Sequence, residues 1–224
     1  MSRRNPFPLL DNPVPRFNIK ANNIALIILD IQYFITDKSG QLAKDAQERG
    51  VSAEFKEYFE LIEDMIPNIN KLVDHCRNLG IQIIFIRTAS RTKDGRDMSL
   101  QKKAQGRIYN CDFDFSFNKS LQPERGDIIL DKTCDNPFNC TELEKILRNL
   151  SVEYIMLCGV LSPGYLDTTA LDAADRGFGV IVVFDAVAGG VRERKEYLTG
   201  GLLKIRDTNS VIELLEPLGK RGLP

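Results

Sequence analysis

The chain has 224 residues, 43% hydrophobic and 27% charged, and its 30 Lys+Arg against 31 Asp+Glu leave a formal net charge of -1. That length can bury one sizeable core, and the even charge balance excludes a surface built for nucleic acid or an anionic membrane. No apolar stretch approaches the roughly 18 residues of a membrane span and the first residues lack the apolar run of a secretory signal, so we expect a single cytoplasmic domain over 1–224, with residues 1–20 as an N-terminal extension.

Taken in chain order, apolar runs of strand length alternate with helical patterns, the signature of βα units around a parallel sheet. "IALIILD" (24–30) is a continuous apolar run ending in an acid, as expected of a central strand covered on both faces. The segment after it, 36–53, reads as neither strand nor clear helix. From Ala53 to Gly80 a stripe of period 3.6 runs through Phe55, Phe59, Ile62, Ile66, Ile69, Leu72, Val73 and Cys76; Gly80 ends it, and Pro67 should kink or divide it. "IQIIFIR" (81–87) is a second strand, followed by another irregular stretch over 88–126. "DIILDK" (127–132) is a third strand, and Thr141 with Glu144 three residues on forms a capping box that opens the next helix. "EYIMLCG" (153–159) and "GVIVVFD" (179–185) are strands four and five, around a helix ending at Gly177. A helix near 192–203, a short strand at "LLKIR" and a helix opened by Thr208 complete the chain.

The two irregular stretches follow the C-terminal ends of strands, the edge where open α/β sheets put ligands, and so are candidate lids. Arg87, Arg91 and Arg96 in the second of them suggest an anionic substrate. Five cysteines without a recurrent close pair imply reduced thiols rather than a disulfide framework. His75 is the only histidine, which excludes any two-histidine zinc site and any Ser-His-Asp triad built elsewhere. Its place near the end of a long helix reads as structural. The loop acids Asp37, Asp45 and Asp94 are scattered as solvated side chains usually are, so no metal and no cofactor are expected.

Three strands end in polar groups that would converge if the strands were neighbours: Asp30, Lys132 and the turn at 159–165 before a helix. A carboxylate beside an ammonium, facing the amino end of a helix, can move a proton and stabilise an oxyanion. The same two residues could equally be a salt bridge capping strand ends.

"ALIILDIQYF", "DIILDKTCDNPFNCTELEKILRNLSVEYIMLCGV" and "GVLSPGYLDTTALDAADRGFGVIVVFDA" resemble, in order, three motifs of the isochorismatase-like hydrolases. The resemblance spans 24–186 and implies an open six-stranded parallel sheet of Rossmann-type order with helices on both faces, a small-molecule substrate, and a homo-oligomer, dimer or tetramer. It implies Asp30 and Lys132 as the catalytic pair, with Gln32, Phe34, Leu161 and Tyr165 at the substrate and the N–H groups of Leu161 and Tyr165 facing an oxyanion; Arg87, by its place at the very end of the second strand, could face the same ligand. The family's usual cysteine nucleophile falls at Tyr165, and a phenol, with its pKa near 10, is a poor replacement for a thiolate. Three readings follow. Asp30 could protonate a vinyl ether, as the resemblance to isochorismatases proper implies, although Lys132 opposes a protonated acid and "LSPG" is not that subgroup's Tyr-Ala-His. Asp30 could activate water to cleave an amide or ureido C–N bond. Or the chain could be an impaired relative that binds a small ligand or serves as an oligomeric scaffold.

Overall fold

A computed structural model describes residues 16–104, 116–162, 164–189 and 201–219. Cys111, Pro163 and most of the helix expected near 192–203 lie outside them, as do the first 15 residues of the extension.

β1 (Ile24–Leu29) is apolar and buried at every position, which places it in the middle of a sheet covered on both faces. It pairs in parallel with β2 (Gln82–Thr88) on one side and β4 (Tyr154–Ser162) on the other. β3 (Ile128–Lys132) extends the sheet beyond β2, and β5 (Gly179–Gly189) and β6 (Leu203–Arg206) extend it beyond β4. The sheet is therefore the expected six-stranded parallel one, in the order β3-β2-β1-β4-β5-β6. Strand order reverses between β1 and β4, and the crevice at their C-terminal ends is where such sheets bind ligands.

The helices are α1 (Tyr33–Thr36), α2 (Gln41–Glu48), α3 (Lys56–Asn78), α4 (Leu100–Ala104), α5 (Pro137–Cys140), α6 (Leu143–Asn149), α7 (Tyr165–Asp175) and α8 (Thr208–Gly219). α3 and α8 bury Phe59, Ile69, Leu72, Val211 and Leu215 on one face of the sheet; α6 and α7 bury Leu143, Leu147, Leu166 and Ala170 on the other. None of the described helices is long and apolar enough to cross a membrane. Residues 16–20 lie on the body, with the ring of Phe17 4.9 Å from that of Tyr154.

Several local expectations are corrected. α3 runs through Pro67 undivided for 23 residues, because the apolar stripe on either side of the proline is anchored in the core. Residues 41–48 are helical rather than irregular. The capping box at Thr141 does not form. Thr141 Oγ1 accepts from the Leu143 N–H, while Glu144 turns away to Arg148 and Arg176. The helix signal that does act there is Asn136, whose side chain accepts from the Phe138 N–H ahead of a Pro in the first turn.

Gly159 fixes the β1–β4 contact. Its φ is +120°, and a Cβ placed on it would lie 2.1 Å from the carbonyl oxygen of Leu29. β4 shifts register against β5 on both sides of this residue, so the close approach also bends the strand tip that leads into α7. Gly159→Ala should therefore lower stability by about 3 kcal/mol or more, read as a fall in the denaturant midpoint.

Candidate active site

Asp30 follows β1 with φ +52°, a left-handed conformation that costs a non-glycine residue about 1 kcal/mol. It is held there by its N–H on Ile86 O (2.8 Å) and its own carbonyl on the Gln32 N–H (2.8 Å). Strand alternation would send Asp30 to the face of Ile28. The turn instead lets its carboxylate reach the face of Leu29, where Thr88 and Lys132 stand.

Lys132 Nζ lies 2.8 Å from Asp30 Oδ2, with the lysine side chain 0% and the aspartate side chain 7% exposed. The two strands are not neighbours, since β2 separates β1 from β3. The long lysine stem spans that gap, and Thr88, paired with Lys132 across β2 and β3, fills it. Lys132 Nζ donates to Thr88 Oγ1 at 3.0 Å, and Thr88 Oγ1 donates to Asp30 Oδ1 at 2.9 Å. The three strand tips thus form one relay. Gln32 completes it from below: its Nε2 donates to Thr88 O (2.9 Å) and its Oε1 accepts from the Thr88 N–H (2.8 Å). Burial pushes the Lys132 ammonium below its ordinary value while Asp30 pulls the other way, and the nearby charge of Lys102 adds to the downward push.

Tyr165 is the first residue of α7, whose leading N–H groups have no intrahelical partners. Its ring centroid is 5.2 Å from Lys132 Nζ and 3.9 Å from Lys102 Nζ. Lys102, on α4, is 1% exposed and lies 2.8 Å from Asp135 Oδ1. Two buried lysines, two aspartates and one aromatic ring therefore meet beside the crevice.

The sequence profile of the Isochorismatase domain matches residues 24–205, and so embraces every residue of this cluster. The chain belongs to the isochorismatase family of hydrolases. It is 25% identical over 173 residues to the uncharacterized isochorismatase family protein YrdC of Bacillus subtilis, covering 77% of this chain and 78% of that one. It is also 25% identical over 179 residues to the ureidoacrylate amidohydrolase RutB of Yersinia enterocolitica, covering 72% and 74% of the two. Among solved structures, a cysteine hydrolase from Pseudomonas syringae pv. phaseolicola superposes with a TM-score of 0.77 at 23% identity, over 92% of this chain and 99% of that one.

Against the expectations for an isochorismatase-family site, the structure brings together Asp30, Gln32, Lys132 and Tyr165. Leu161 lies in the last turn of backbone before α7, within β4. Phe34 packs into the core on the α3 face. Arg87 is directed to the other face of β2 from Thr88: its Nε donates to Asp131 Oδ1 at 2.6 Å and its guanidinium lies over the Phe117 ring. No sequence pattern singles out Thr88, Lys102 or Asp135. A lone threonine at a strand end and a lysine in a polar run carry no signal until the chain is folded.

Of the cysteines, Cys76 and Cys158 are buried and free, and burial pushes the Cys76 thiol up to about 12 and that of Cys158 higher still. Neither is a nucleophile in waiting. The expectation of reduced thiols fails at Cys134 and Cys140, which are disulfide-bonded with their Cα atoms 6.2 Å apart. A separation of six residues carries no disulfide signal by itself, but α5 doubles the chain back between them. Among the described residues no group of three or more His, Cys, Asp and Glu is placed to hold a metal ion.

The loop after β2 is ordered by Asp97, which accepts from Ser90 Oγ, the Arg91 N–H and Thr92 Oγ1. Burial opposes ionisation of this carboxyl, but those donors outweigh it and hold the group well below its usual 3.8. A carboxyl depressed in the folded state stabilises above its unfolded value and loses that contribution only as pH falls through the folded one. Asp97→Asn should thus cost about 2 kcal/mol at neutral pH, and the gap from wild type should close below pH ~4 in acid-unfolding curves.

Proposed function

We propose that this chain hydrolyses a C–N bond, amide or ureido, in a small anionic substrate, with Asp30 activating water and no cysteine nucleophile. The observation that carries the reading is the direction of the relay. Thr88 accepts from Lys132 and donates to Asp30, so both carboxylate oxygens of Asp30 face donors or cations. That is the disposition of a base. It disfavours the acid role that vinyl ether cleavage asks of Asp30, because a protonated carboxyl would lose one of these contacts.

In the reaction, Asp30 takes a proton from water as the hydroxide attacks the carbonyl carbon. The developing oxyanion faces the leading N–H groups of α7 and the ammonium of Lys132, and Asp30 returns the proton to the leaving nitrogen. The name of the RutB relative, an amidohydrolase, supports the same bond class. Tyr165 supports water as nucleophile, because the residue in the cysteine's place is a wall over both ammoniums.

That wall also favours the second reading, an impaired relative, since the ring covers a pair that is itself almost fully buried. One experiment separates them. A screen of amides and ureides should find turnover in the wild type, cut about 10²- to 10⁴-fold by Asp30→Asn, with no covalent adduct in the intact mass. Wild-type inactivity with activity gained in Tyr165→Cys would establish the impaired relative instead.

A further inference from the structure

The loop that leaves β3 carries a disulfide two residues past Lys132, between Cys134 and Cys140. Cys76 and Cys158 are sealed in the core, whereas both bonded cysteines are partly exposed and so within reach of a reagent in solution. As a staple the bond has little to do. The stabilisation a disulfide gives grows with the loop it closes, and this one spans six residues. The same turn is already held without it: Asn136 caps α5 by accepting from the Phe138 N–H, and Thr141 Oγ1 donates to Pro137 O at 2.7 Å.

Three consecutive residues inside the bonded turn reach the site. Cys134 O accepts from Lys132 Nζ at 3.4 Å. Asp135 Oδ1 lies 2.8 Å from Lys102 Nζ, and its charge helps to keep the Lys132 ammonium protonated against the charge of Lys102. Asn136 Nδ2 donates at 2.7 Å to Asp172 Oδ2 on α7, the helix that begins at Tyr165. The backbone conformation that the bond fixes thus sets contacts to both buried lysines and to α7. The turn also has a place for the opened form. Asn136 O lies 3.1 Å from Cys134 Sγ and 3.5 Å from Cys140 Sγ, an acceptor within reach of either thiol proton once the sulfurs part.

We propose that Cys134–Cys140 is a reversible redox site: a dithiol reductant opens it and, by releasing residues 134–136, loosens the Asp30–Lys132 centre. The inference rests on that centre being the working site and adds its regulation. In the reaction a thiolate of the reductant attacks one sulfur, forming a mixed disulfide and expelling the other as thiolate. The second thiol of the reductant then displaces the first. Cys134 and Cys140 end as two thiols, having gained two electrons and two protons, and the reductant ends as its own disulfide. A small-molecule disulfide in excess runs the same steps backwards. The bonded form is the competent one, because it holds Cys134 O on Lys132, Asp135 on Lys102 and Asn136 on α7.

The test uses the full chain, equilibrated with oxidised glutathione or with dithiothreitol and no denaturant, beside the double variant Cys134→Ser/Cys140→Ser. Alkylation and peptide mapping should find Cys134 and Cys140 blocked in the first condition, reactive in the second and blocked again once the dithiol is replaced by oxidised glutathione. Cys76 and Cys158 should stay unreactive throughout. Hydrogen exchange should quicken about 10-fold or more at the amides of 132–136 and 168–172 in the reduced protein, while β1 keeps its protection. The double variant should match the reduced wild type and ignore the dithiol; if it does not fold, reduced wild type carries the comparison alone. Cysteines that stay reactive in oxidised glutathione, a bond that opens only on denaturation, or exchange identical in the two forms each overturn the proposal. Any substrate found among amides and ureides should be turned over about 10-fold or more slowly by the reduced protein, and equal turnover overturns the regulation. Turnover absent in both forms counts against the hydrolytic reading alone, and the exchange measurement then decides the redox site.

Discussion

A buried ammonium and carboxylate, joined across three strand tips, is the constraint on which the rest of this structure depends. Lys132 and Asp30 are 2.8 Å apart although their strands are not adjacent, and only Thr88 on the intervening strand makes that geometry hydrogen-bonded as well as ionic. Keeping such charges out of water costs several kcal/mol per ion before their attraction is counted. The surrounding structure is arranged to hold them: Gln32 clamps the backbone of Thr88, Asp30 accepts a left-handed φ, and Gly159 lets β4 close against the end of β1. Local strain and tight approach concentrated at one strand edge are what a functional site shows and a stabilising salt bridge does not need.

The fold puts this pair across the tips of β3, β2 and β1, with Asp30 at the end of the strand beside which the order reverses, and α7 follows the tip of β4 on the far side of β1. A carboxylate and an ammonium thus stand together at the C-terminal edge of the sheet. Tyr165, at the start of α7, lies with its ring against the ammoniums of both Lys102 and Lys132.

Much of this was legible in the chain. The all-apolar β1, the strands ending in Asp30 and Lys132, and the 3.6-period stripe of α3 each follow from a local pattern that burial enforces. What was not legible depends on contacts far apart in sequence. Thr88 matters only because β2 lies between β1 and β3, which no run of residues announces. Lys102 sits in a stretch whose polarity reads as solvated, and its burial is decided by where α4 docks. Residues 116–118 pair with the segment after Asp30 through the Tyr33 N–H on Ser116 O and the Asn118 N–H on Ile31 O, closing a long loop that carries no strand signal. The Cys134–Cys140 bond likewise needs the turn of α5, which brings two thiols together without a recognisable spacing.

The most direct measurement is the stability and turnover of the double variant Asp30→Asn/Lys132→Met. If the pair is kept for chemistry, removing both charges together should leave the denaturation midpoint at or above that of wild type while hydrolysis disappears. A double variant that unfolds far more easily than wild type, or one that still turns over substrate, would show that the pair serves the fold and not the reaction.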